Sequence, residues 1–71
     1  MSMLKVIEVL AESKDSFEGA ARNAVAQAAK TVRNVKSIYI KEMTAQVEGD
    51  QIVNYRVNAK ITFLLEDEPT S

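Results

Sequence analysis

The sequence predicts an α+β fold, a single β-α-β-β unit whose three-stranded antiparallel sheet carries one helix. Three observations predict it. Within 52–65, residues 53–63 alternate apolar and polar without a break. Residues 14–34 carry apolar side chains at helical spacing. The chain has only 71 residues and no cysteine, so it is one domain that must find stability outside a disulfide framework.

The first strand is expected over 4–10, Leu-Lys-Val-Ile-Glu-Val-Leu, a short run rich in β-branched residues. Ser13 then suits a helix N-cap, with Asp15 at the positive end of the dipole. Across 14–34 the apolar stripe is Phe17, Ala21, Ala24, Val25, Ala28, Val32 and Val35, mostly alanine, which lets the helix lie close on a sheet. Glu18 and Arg22 are four apart and can pair. Lys30, Arg33 and Asn34 suit the helix C-terminus.

The second strand spans 37–47. Ile38 and Ile40 share one parity, but Met43, Ala45 and Val47 share the other. That change of phase predicts a bulge near Lys41-Glu42. Glu48-Gly49-Asp50-Gln51 closes a hairpin. The third strand, 52–65, has the clearest alternation and is long for so small a domain. Residues 66–71, with Glu66-Asp67-Glu68-Pro69, read as a loose charged tail. Placing the third strand between the other two makes every neighbour antiparallel. One helix cannot cover both faces of such a sheet, so the chain reads as a protomer of an oligomer.

Nine Lys plus Arg against ten Asp plus Glu give near-neutrality, which argues against a nucleic-acid partner. No apolar run reaches the length of a membrane span. Met1-Ser2-Met3-Leu4-Lys5 lacks the features of a signal peptide, so a cytoplasmic location is expected. Histidine and cysteine are absent. With no nucleophile–base pair visible, an enzyme is not expected. Glu42, Glu48, Asp50, Glu66, Asp67 and Glu68 offer oxygens to a hard cation such as calcium or magnesium. No loop has calcium-binding spacing, so such a site needs carboxylates brought together by symmetry, and the sequence fixes no metal site.

A family resemblance rests on several short stretches in order. They are Lys5-Val6-Ile7-Glu8-Val9, then Ser13-x-x-Ser16-x-x-x-Ala20-Ala21, then Ala28-Ala29-Lys30-Thr31-Val32-Arg33. Tyr39-x-Lys41-Glu42, Tyr55-Arg56-Val57 and Phe63-x-Leu65-Glu66 follow. Together these resemble the dodecins, from Leu4 to about Asp67. The resemblance implies a hollow homododecamer, a sheet wrapped around one helix, and storage or sequestration of a flavin (FMN, riboflavin or FAD) without catalysis.

It also implies where a flavin would sit. Flavin-binding dodecins place a ring-stacking tryptophan early in the second strand; Ser37 stands there. Their ring-binding glutamine in the third strand is replaced by Arg56. The acidic position is kept as Glu42, and Thr44-Ala45 stand where an Arg-Gly pair is common. Tyr39 is a candidate to stack in place of the missing tryptophan, or to pack at an interface. Glu42 and Arg56 either contact a ligand or form a cross-strand or intersubunit ion pair. A buried aromatic covers roughly 150–250 Å², worth about 4–6 kcal/mol at most. Losing half of that weakens binding by roughly a hundredfold, so the expected flavin binding is weak. The alternative is a calcium- or magnesium-binding or purely structural assembly.

Overall fold

The computed structural model describes residues 2–66. Strand β1 runs Ser2–Ser13, helix α1 Phe17–Ala29, strand β2 Val35–Glu48 and strand β3 Gln51–Glu66. The sheet order is β1-β3-β2, antiparallel throughout. The expected central place of the third strand is therefore the one observed. Each strand is longer than its apolar run, because the ladder continues through polar residues. β1 keeps pairing to Ser13, opposite Tyr55. Glu66 closes β3, opposite Ser2, and residues 67–71 of the expected tail lie outside the described residues.

The helix is shorter than the spacing suggested. Its N-cap is Ser16, not Ser13: the Ser16 hydroxyl accepts the Gly19 N–H at 2.8 Å. Ser13 instead ends β1, and its Oγ accepts the amide of Asp15 at 3.0 Å, turning the chain toward the helix. Gly19 fits where this turn meets the first helical turn, since a Cβ there would lie 2.7 Å from the Ser13 Oγ. At the far end Lys30 is the C-cap. Asn34 takes a left-handed φ of 62°, a conformation asparagine tolerates better than most residues. The Asn34 carbonyl accepts the Leu64 N–H at 3.0 Å, so residues that read as a last helical turn become the entry to β2.

The core is thin and alanine-rich. Ala20, Ala24 and Ala28 of α1 are buried against Ala11, Val57 and Ile61. Ile7, Val9, Phe17, Val32, Val35, Ile38 and Ile40 pack around them. The buried ridge runs i, i+4, i+8 through Ala20; Ala21, expected on it, is half-buried on the flank. The Phe17 and Tyr55 rings meet edge to face, centroids 4.9 Å apart.

The two layers differ greatly in length. A 13-residue helix is about 20 Å long, and a 16-residue strand about 53 Å. The protomer measures 60 × 18 × 13 Å. The β2-β3 hairpin therefore projects beyond the helix as an arm. Its two-residue turn has φ of 57° at Gly49 and 68° at Asp50, the primed turn that suits strand twist.

Ala24→Leu or Ala28→Leu should lower thermal stability, because overpacking this ridge costs about 1–3 kcal/mol. Ala26 is exposed, and Ala26→Leu should leave the melting temperature nearly unchanged. Equal losses in all three, measured by calorimetry, would contradict this packing.

Candidate functional site

Directly opposed residues of an antiparallel pair share a face. On β3 the buried Val57, Ala59, Ile61 and Phe63 face the helix. Arg56, Asn58, Lys60 and Thr62 therefore face the other way, toward the open side of the sheet. Ser37 lies opposite Thr62, Tyr39 opposite Lys60, Glu42 opposite Asn58 and Thr44 opposite Arg56. All four residues singled out from the sequence, Ser37, Tyr39, Glu42 and Arg56, thus lie on the open face.

The bulge makes this possible. The β2 register shifts between Ile40 and Glu42, with Lys41 the inserted residue. Between an earlier shift at Lys36 and this one, the even-numbered Ile38 and Ile40 face the helix; after Lys41 the odd-numbered residues do. Without that shift Glu42 would point into the core beside the alanine ridge. Lys41, turned outward, reaches the Glu8 carboxylate at 3.4 Å.

The four residues are not one cluster. Glu42 and Arg56 line the same shallow depression with Leu10, Thr44 and Asn58, about 240 Å³ in volume. Ser37 lies opposite Thr62, six positions along β3 from Arg56, or about 20 Å. Within one protomer, Ser37 cannot touch a small ligand held by Arg56, and Tyr39, opposite Lys60, stands four positions or about 13 Å from Arg56 along β3.

Arg56 has a partner that the sequence reading missed. Its Nε and a terminal nitrogen donate to one oxygen of Glu12 at 2.8 and 2.6 Å. Glu12 is directly opposite Arg56 in register. A first strand ended at Leu10 hid this pairing; running it to Ser13 exposes it. The Arg56 guanidinium, with help from the Asn54 amide, holds the Glu12 carboxyl below its ordinary range. Lys41 does the same for Glu8, seconded by the Asn58 amide. Glu42 has no side-chain hydrogen bond or ion pair among the described residues. The Asn58 Oδ1 is shut from solvent and likewise lacks a partner among them.

No group of three acidic side chains that could hold a metal occurs among the described residues. Of the candidate oxygens, Glu42 lies mid-strand, Glu48 ends β2 and Asp50 sits in the hairpin turn. Asp67 and Glu68 lie outside the described residues. A wider concavity of about 460 Å³ lies between β1 and α1, lined in part by Leu10, Glu12, Asn23 and Lys30. None of the four predicted site residues borders it.

Comparison with known proteins agrees with this architecture. The Dodecin family model matches residues 3–66. The chain is 30% identical over 63 residues to a protein of Mycobacterium tuberculosis named calcium dodecin, covering 89% of each. The structure of dodecin from Streptomyces coelicolor superposes with a TM-score of 0.86 at 31% identity, over 94% of this chain and 96% of that one. The crystal structure of the Mycobacterium tuberculosis calcium dodecin, described as having a novel calcium-binding site, gives a TM-score of 0.76 at 26% identity, over 97% and 96%. By sequence, by strand order and by superposition along nearly its full length, the chain belongs to the dodecin family.

Proposed function

We propose that this chain is the protomer of a hollow dodecamer that binds and stores a small ligand in the cytoplasm, without catalysing a reaction. The open face carries the proposal. Leu4, Leu10 and Tyr39 are 60%, 64% and 65% exposed there, an arrangement that points to a covering partner rather than to water. The Glu42–Arg56 depression lies on that same face, so copies that cover the face also enclose it.

A flavin is the ligand the family suggests, held weakly here. Ser37 offers almost no stacking surface. Arg56 is committed to Glu12 and cannot accept a hydrogen bond as glutamine can. A second reading, a hard cation, is favoured by the similarity to calcium dodecin. Calcium takes about six to eight oxygen ligands, so the carboxylates would come from several copies, with the unpaired Glu42 the leading donor.

Light scattering should give a single species near the mass of twelve 7.9 kDa chains; a folded monomer at micromolar concentration would overturn the assembly. The absorbance spectrum and a calcium-chelation melt on the same sample separate the two ligands. Bound flavin absorbs in the visible, and a bound structural cation lowers the melting temperature when removed.

Fluorescence titration should find weak binding of riboflavin and FMN. Ser37→Trp with Arg56→Gln should tighten it by about a hundredfold, the value of half a buried aromatic. Nanomolar binding by the unmodified protein, or no gain in the double variant, would count against a degraded flavin site.

A further inference from the structure

The Glu12–Arg56 pair bears on which ligands the open-face depression accepts. Of the side chains lining it, two are ionisable, Glu42 and Arg56. The Arg56 charge is met by Glu12 at 2.6 Å, whereas Glu42 is unpaired among the described residues. The three charges together leave the depression negative.

Glu12 is held for this task. Strand register sets it directly across from Arg56. Its backbone carbonyl accepts the Asn23 amide at 2.7 Å, tying the end of β1 to the helix. A guanidinium released from such a partner presents a planar fork of donors that matches phosphate bidentately. Bound to Glu12, that fork is turned to the β1 side.

We propose that Glu12 is the positioning residue that sets the charge preference of this site: by engaging Arg56 it makes the depression select neutral or cationic ligands over phosphate-bearing ones. The inference rests on the reading that the Glu42–Arg56 depression belongs to the ligand site. It differs from that reading in naming a residue outside the depression as the determinant.

The test is a titration of the assembled protein with riboflavin and with FMN, which share a ring and differ by a phosphate. The unmodified protein should bind riboflavin at least as well as FMN. Glu12→Gln should raise the ratio of FMN to riboflavin affinity by about tenfold, the scale of one or two charge-assisted hydrogen bonds. Glu12→Asp should restore the original ratio, and adding Arg56→Gln to Glu12→Gln should abolish the gain. A ratio unmoved by Glu12→Gln, in an assembly intact by light scattering, overturns the proposal.

If no variant binds either flavin, the flavin reading fails on its own, and inorganic phosphate becomes the probe. At fixed ionic strength, phosphate should raise the melting temperature of Glu12→Gln and not that of the unmodified protein. An equal response in both would overturn the role of Glu12.

Discussion

A helix of 13 residues lies on a sheet whose central strand has 16, and the mismatch in length governs much else in the molecule. A residue in a strand advances the chain more than twice as far as one in a helix. The helix can therefore shield only part of one face. The contact it makes is close because its ridge is alanine, but alanine buries little area, and each buried side chain stabilises in proportion to area. The largest fully buried side chains are Ile61 and Val57. A core so thin leaves the rest of the sheet uncovered by its own helix, the gap that the proposed assembly fills. The uncovered face and the free sides of β1 and β2 are the surfaces left for that role, consistent with strand edges that natural proteins cover or pair.

The bulge at Lys41 decides what that open face displays. A strand has a period of two, so one inserted residue exchanges its faces. In β2 this lets Ile38 and Ile40 pack beneath the helix while Glu42 and Thr44, farther along, still point outward with Ser37 and Tyr39. The same inserted residue turns the Lys41 ammonium toward Glu8, across the central strand. Together with the earlier shift at Lys36, which turns Val35 inward and Ser37 outward, it permits both the core and the polar row of the candidate site.

The ion pairs of this face contribute little to stability. Their side chains are about half exposed, where solvent screening leaves such pairs weak. Because the folded carboxyls of Glu8 and Glu12 titrate below their ordinary range, that small contribution is present at neutral pH and lost as the pH falls through the lowered range. Their larger effect is on position. Glu12 fixes where the Arg56 guanidinium points, and Lys41 occupies Glu8, leaving Glu42 as the open carboxylate of the depression. A surface with nearly balanced charge can in this way hold a locally negative site.

Much of this protein was legible in its residues. Alternation within 52–65, the alanine-rich helical spacing, the Gly49-Asp50 turn and the change of parity before Met43 each have a local physical cause. Together they determined the element order, the central strand and the bulge. Element ends were less legible, because hydrogen-bonded ladders run on through polar residues. Helix ends depend on which hydroxyl meets which amide: Ser13 and Ser16 are equally good caps by type, and only the ladder reaching Ser13 made Ser16 the cap. The site was legible as residue types and faces, but not as distances. That Ser37 lies about 20 Å along the sheet from Arg56, and that Arg56 is held by Glu12, followed only from the tertiary structure. The second depends on pairing between residues 44 apart in sequence, and the first on a hairpin register that bulges shift away from simple counting.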